Sequence, residues 1–331
     1  MGKQLQQLYQ FLIEPGERFP RLGNWLVERI WNADSASQRR GVDFLLTAEG
    51  EVNKLETLVA SAAPRTYDEL CFPPEESRDL LHFLLHRQPC AAIVLDGLSL
   101  REIPAILALA AHSRHRVAEI GYSLAAIPSD TNSFIAQRLR LPNTSPSQLP
   151  ERKQLRGQGI AAYYYRAPTE QHALETDKPA LLLWSAFPDN TYRDSGARFE
   201  HHFADIQTRL EIAWRSTVQQ IPRDRRVVIT SDHGYIFFGH GLSATRHNDE
   251  TRPLTRLLGG ERYLFLEEGG PEPDPHPDLV VKQAPDDGKV AMIRGRVQTH
   301  PPGDAANKLY KHGGLSLMEM LTPWIVLEAE A

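Results

Sequence analysis

The sequence predicts an α/β protein. A mainly parallel β-sheet flanked by helices occupies residues 89–331, and a helical N-terminal region occupies 1–88. Three observations carry this. Short continuous apolar runs, such as Ala91-Ala92-Ile93-Val94-Leu95 and Val227-Val228-Ile229, stop abruptly at Asp-Gly or Asp-His-Gly, as strands buried on both faces do. Segments of helical length and periodicity separate those runs, which is the alternation of βαβ units. Before Ala91 no glycine-rich strand punctuation occurs.

In the N-terminal region Leu5, Leu8, Phe11 and Leu12 recur at helical spacing, as do Leu22, Trp25, Leu26 and Ile30. Glu51 to Leu58 gives a further helical stretch. Leu80 to Leu85 follows Pro73-Pro74 and acidic residues, a helix start. After the Ala91 strand a helix runs from about Leu100 to Ala111. Strands follow at Arg116 to Ile127, Ile160 to Tyr165 and Leu181 to Phe187. A long amphipathic helix spans Arg198 to Gln220 and leads into the Val227 strand. Arg262 to Leu266 and Val290 to Arg296 read as strands, and the Gly/Pro-rich segment from Gly269 to Pro275 as an exposed loop between them. Leu317 to Leu327 reads as an amphipathic helix interrupted by Pro323, with Leu317, Leu321 and Ile325 facing the core.

At 331 residues, 41% hydrophobic and 24% charged, the chain has the make-up of an ordinary globular protein of one or two domains. No run approaches the roughly 18 apolar residues of a membrane span. The start lacks the apolar core of a signal peptide. The two cysteines, Cys71 and Cys90, have no metal-ligand spacing, so a reducing cytoplasmic location is expected. A formal charge of −5 exerts no global pull on polyanions. The local basic clusters, such as Arg152, Lys153 and Arg156, read as solvated faces.

In parallel sheets ligands bind beyond the carboxyl ends of the strands. Asp96, the Ser129-Asp130-Thr131 turn, Asp189 and Asp232-His233 all fall just past strand ends, and His312 follows late in the chain. A carboxylate beside an imidazole offers the hard-oxygen and nitrogen donors of a zinc- or manganese-type site. Each residue also has a plainer use. Asp96 could cap the following helix, Thr131 could be the N-cap of a helix from Asn132, and His312 could serve a turn. Ser129 competes with Thr131 as a nucleophile. His240 and His247 read as surface residues.

Four pieces in order, Leu95-Asp96-Gly97, Pro128-Ser129-Asp130-Thr131, Ser231-Asp232-His233-Gly234 and His312-Gly313-Gly314-Leu315-Ser316-Leu317-Met318-Glu319, resemble the alkaline phosphatase superfamily. The last piece, with Pro323-Trp324 behind it, looks most like the PglZ branch associated with BREX-type phage defence. The resemblance covers about Ala91 to the C-terminus. It implies an alkaline-phosphatase-like fold and metal-dependent hydrolysis of a phosphoester, with one or two divalent ions (Zn, or Mn/Mg) per chain. One ion would be held by Asp96, Thr131, Asp232 and His233, with Thr131 as nucleophile. A second would be held by Asp189 and His312. The histidine that the family places shortly after Asp189 is missing, so Asp194, or less readily His201, is expected to complete an oxygen-rich site. The implied substrate is a phosphodiester, a nucleotide or nucleic acid, and the implied partners are other defence-system proteins. A small-metabolite phosphomonoesterase and a catalytically reduced scaffold are the alternative readings.

Overall fold

The computed structural model describes residues 18–32, 41–62, 64–70, 78–191, 199–238, 248–284, 288–299 and 310–329. The main sheet has six strands: β1 (Cys90–Leu95), β2 (Val117–Leu124), β3 (Ile160–Tyr165), β4 (Ala180–Ser185), β5 (Arg226–Thr230) and a last strand at Leu321–Leu327. Five shorter strands among the described residues precede that last one, β6 (Ile236–Phe237), β7 (Tyr263–Phe265), β8 (Leu279–Gln283), β9 (Lys289–Ile293) and β10 (Tyr310–Lys311), so Leu321–Leu327 is β11. The sheet order is β2-β11-β5-β1-β4-β3. β5, β1, β4 and β3 are parallel, and β11 runs antiparallel to both β5 and β2. The expected α/β class with a mostly parallel sheet flanked by helices is therefore the one observed.

β1 lies at the centre because it is apolar at every position and buried at all six residues. Its alternate side chains enter two different cores. Ala91, Ile93 and Leu95 pack with Leu22, Leu26, Phe44, Val52 and Ile103 from the N-terminal and following helices. Cys90, Ala92 and Val94 pack with Leu80, Leu84, Phe134 and Trp184 on the other face. The helices Arg18–Trp25 and Gly41–Ala62 thus share a core with the sheet. Among the described residues no helix is long and apolar enough to cross a membrane.

The expected helix over Leu317 to Leu327 is corrected: only Leu317–Met320 is helical, and Leu321–Leu327 is strand β11. All seven residues of β11 are buried, and a fully buried strand has no period-2 alternation to separate it from a buried helix. Pro323, a misfit in a helix interior, pairs only with Tyr122 of β2 and lies beyond the stretch of β11 that pairs with β5. Strand β8 was also not expected. It joins β7 and β9 in a separate antiparallel sheet, order β7-β9-β8, over a small core of Leu254, Leu258, Ala291, Ile293 and Val297. The predicted helix over Leu5 to Leu12 lies outside the described residues.

Charged side chains tie these layers together in the interior. Glu49 of the Gly41–Ala62 helix pairs with both Arg101 and Arg296. Arg262, next to β7, places Nε 2.6 Å from Oε1 of Glu319 and Nη2 2.9 Å from its Oε2, both side chains being essentially inaccessible. Removing one member of such a pair strands a buried charge. Arg262→Ala is expected to cost about 3–5 kcal/mol in urea unfolding, whereas an Arg262→Met, Glu319→Leu double change should recover much of it.

Glu56 accepts a bond from the Leu317 amide, and burial pushes its pKa up to about 7 against the pull of Arg296. Between pH 4.5 and about 7 the unfolded chain gives up this proton while the folded chain keeps it. Stability should therefore fall as pH rises through that window, by at most roughly 3 kcal/mol from this group. Glu56→Gln, which keeps the acceptor, should flatten the slope in pH-resolved unfolding. An unchanged slope would show that Glu56 titrates normally.

Candidate metal centre

The carboxyl ends of the parallel strands bring the candidate residues together. Asp96 follows the central strand β1, with Asp232 and His233 on one side after β5 and Asp189 on the other beyond β4. The Asp189 amide donates to the Asp96 carbonyl at 2.9 Å, fastening the two strand exits to each other. The chain after β2 turns through Pro128-Ser129-Asp130 into the helix Thr131–Arg138. His312 arrives from elsewhere. β10 pairs antiparallel with β6, just downstream of His233, and this stacks the His312 ring on the His233 ring at 3.9 Å between centroids and 11° between planes.

Each side chain is oriented by a second bond. Asp232 Oδ1 accepts from the Gly97 amide at 3.0 Å and from the Ser231 hydroxyl at 3.2 Å, while its Oδ2 is buried with no hydrogen-bond partner. His233 engages the Gly234 carbonyl through Nδ1 at 3.0 Å, and His312 engages the Ser129 carbonyl through Nδ1 at 3.1 Å. A carbonyl can only accept, so both Nδ1 atoms carry a proton, and in the neutral ring each Nε2 presents a lone pair. Those lone pairs face carboxylates. His233 Nε2 lies 3.6 Å from Asp96 and 3.7 Å from Asp232, and His312 Nε2 lies 3.8 Å from Asp189.

Among the described residues, two groups of three have donor atoms within 4.8 Å of one another: Asp96, Asp232 and His233, and Asp189, His233 and His312. His233 belongs to both, yet its single free nitrogen can serve one cation at a time. An unpartnered buried carboxylate oxygen beside two imidazole lone pairs is a donor set that a divalent cation fits. Without one, the charges conflict. Burial together with the charges of Asp232 and Asp189 holds the Asp96 carboxyl well above the usual range. Burial works against a charged His233, but Asp232 and Asp189 outweigh it and raise that pKa, whereas burial and the neighbouring His233 lower that of His312.

All six sequence-derived residues thus meet in one place, including Thr131, whose Oγ1 lies 3.5 Å from Asp96 Oδ1 and 3.4 Å from His233 Nε2. The plainer uses fall elsewhere. Asp130, not Thr131, caps the helix by accepting from the Asn132 and Ser133 amides. Ser99, not Asp96, caps the turn at Leu100–Glu102. Ser129 is wholly buried, donating to the Gly314 carbonyl and accepting from the Gly313 amide, so it holds the His312 loop. Asp194, His240 and His247 lie outside the described residues, as does the side chain of His201.

The sequence reasoning missed how the loops are held. Gly234 is required because a Cβ there would meet the Met318 carbonyl oxygen at 2.1 Å, and its amide donates to the Glu319 carbonyl. Gly313 has φ +104°, and its α-carbon lies against the Tyr263 ring. Both glycines stand in the quoted motifs, but only the fold shows what approaches them.

No family model and no curated protein matches the chain. Among solved structures, murine ectonucleotide pyrophosphatase/phosphodiesterase 5, inactive and in complex with AMP, is similar over 72% of this chain and 87% of its own at 11% identity and a TM-score of 0.43. Phosphonoacetate hydrolase from Sinorhizobium meliloti 1021 in complex with phosphonoformate is similar over 72% and 90% at 13% identity and a TM-score of 0.42.

The crowding of carboxylates has a measurable consequence. In chelator-treated protein Asp189→Asn should raise stability by on the order of 1 kcal/mol, because one repelling charge is gone. In excess divalent ion the order should reverse, the wild type gaining more by mass action. Thermal unfolding with and without chelator reads both. A variant less stable than wild type in chelator would show that the three carboxylates do not repel.

Proposed function

We propose that this chain is a metal-dependent phosphoester hydrolase of the PglZ type in the alkaline phosphatase superfamily, using Thr131 as nucleophile. The observation that carries the reading is the placement of Thr131 Oγ1, a partly exposed hydroxyl at a helix start, between Asp96 and His233, whose Nε2 also faces the unpartnered Oδ2 of Asp232. The order of motifs in the sequence supports the same family.

Three carboxylates so close together would repel a phosphate, so an anionic substrate needs cations there first. Asp96, Asp232 and His233 would hold one, with the Thr131 hydroxyl as a further donor. Asp189 and His312 would hold another, and the carboxylate share of that donor set suits manganese or magnesium better than zinc. Divalent ions in this place supply Lewis acidity, neutralising the non-bridging oxygens and acidifying a hydroxyl.

The hydroxyl of Thr131 gives up its proton and its oxygen bonds to phosphorus, while the ester P–O bond breaks and the departing alcohol takes up a proton. Water then cleaves the phosphothreonine and restores the hydroxyl. Asp232 and His233 need not move, since Gly97, Ser231 and Gly234 hold them through the atoms that face away from the site. The favoured substrate is a phosphodiester of a nucleotide or oligonucleotide, met in the cytoplasm alongside other proteins of a defence or signalling system. The resemblance to the PglZ branch supports these finer points.

Thr131→Ala should lower turnover by roughly 10³-fold or more while leaving metal stoichiometry largely intact, and Thr131→Ser should keep measurable activity. The assay compares bis-p-nitrophenyl phosphate with p-nitrophenyl phosphate in added manganese or zinc. Faster cleavage of the monoester would replace the diesterase reading. An unimpaired Thr131→Ala would remove Thr131 from the chemistry. Asp232→Ala should lose both metal and activity, and retained metal in that variant would show that the site is wrongly assigned.

A further inference from the structure

The helix Leu80–His86 carries a second pair of imidazoles, remote from His233 and His312. Apolar packing sets the rotation of this helix. Leu80, Leu81, Phe83 and Leu84 are buried in the core that holds Cys90, Ala92 and Val94 of β1, and the Phe83 ring meets the Trp324 ring edge-on at 5.9 Å. Residues four apart lie one above the other on a helix, so His82 and His86 share the opposite face, and both are exposed. Their ring centroids are 4.4 Å apart and their planes are tilted by 43°. Among the described residues neither ring has a hydrogen-bond or ion-pair partner.

The backbone under the pair is fixed at both ends. Asp79 caps the helix start, its Oδ1 accepting from the His82 amide at 2.6 Å, and Gln88 Nε2 donates to the Leu84 carbonyl at 3.2 Å. Only side-chain torsions are left for chelation to order. Two imidazoles one helical turn apart can reach a single ion, which is the spacing that helical zinc sites use. Among the described residues no third histidine, cysteine or acid joins them, so water fills the remaining positions. A donor set of nitrogens alone suits copper, nickel and zinc and offers nothing to the oxygen-seeking magnesium and calcium.

We propose that His82 and His86 form a peripheral site for a late transition-metal ion, separate from the candidate metal centre. His86 precedes β1 and Asp96 follows it, so the six residues of that strand, about 20 Å of extended chain, lie between the two sites. The pair stands on the geometry of one helix and is independent of the hydrolase reading. An ion bridging it clamps the short helix that leads into the central strand, and so favours the folded chain by mass action. A zinc count on the whole protein then includes one ion that takes no part in hydrolysis.

Zinc titrated into the full-length protein, followed by the ring C–H resonances of the two histidines, tests the site. Each resonance is assigned by its loss in His82→Gln or His86→Gln, both changes at exposed positions. In the wild type the two rings should shift together, with one midpoint. In either variant the remaining ring should need at least roughly tenfold more zinc, because the intramolecular second contact is gone. Magnesium should shift neither ring. No saturable shift, separate midpoints for the two rings, or an unchanged midpoint for His86 in His82→Gln would overturn the shared site. Equal shifts with magnesium would overturn the class of ion.

Discussion

Mutual repulsion of carboxylates governs this molecule. Asp96, Asp189 and Asp232 stand at the ends of neighbouring strands, and a parallel sheet leaves them little freedom to separate, because strand register fixes where each exit lies. Burial of Asp96 and Asp232 then removes much of the water that would screen them. The proton affinity of Asp96 and of His233 is raised in response, and the Nε2 atoms of His233 and His312 are aimed at the carboxylates. Such a cluster weakens the fold when empty and strengthens it when a cation arrives. The same electrostatics that suit the site for binding an ion make it a poor structural element alone.

Against that local conflict the protein sets a second group of buried charges, each in an ion pair. Glu49, Arg101, Arg296, Arg262 and Glu319 connect the long N-terminal helix, the small antiparallel sheet and the loop that carries His312. Glu319 is the pivot. Its carboxylate accepts from the Gly314 amide and from Arg262, and its carbonyl accepts from the Gly234 amide. One residue therefore registers both histidine-bearing loops against each other. The stacking of His233 on His312 follows from this scaffold, since two imidazoles have little reason to stack unaided beside three acids.

Much of this could be read in the residues alone, for identifiable reasons. β1, β3, β4 and β5 were legible because each is a short apolar run flanked by turn residues, and the six site residues because they sit at the ends of those runs or in a motif. What escaped depended on distant partners. β11 lacks alternation because both its faces are covered, and β8 is a short run just after the Gly/Pro-rich segment that is defined by its pairing with β9. The roles of Ser129 and Ser231 were hidden because a buried serine with structural bonds and an exposed catalytic one look alike in a string. Likewise, His233 could be placed with Asp232 by adjacency, but its reach to Asp189 and His312 exists only in three dimensions.

The position of β11 bears on how the protein is made. A chain emerging from the ribosome can lay β1, β4, β3 and β5 side by side while later residues are still being joined, since these strands pair directly with one another. β2 cannot dock in its final place, because its only neighbour in the sheet is β11, which follows every other described strand in the chain. β2 leads directly into the turn that presents Thr131. The acids can therefore gather early, but the hydroxyl is seated only when residues 321–327 slot between β5 and β2. A nascent or C-terminally trimmed chain would hold its cluster of acids without the threonine beside them, so the cluster is completed only once translation has passed the last strand.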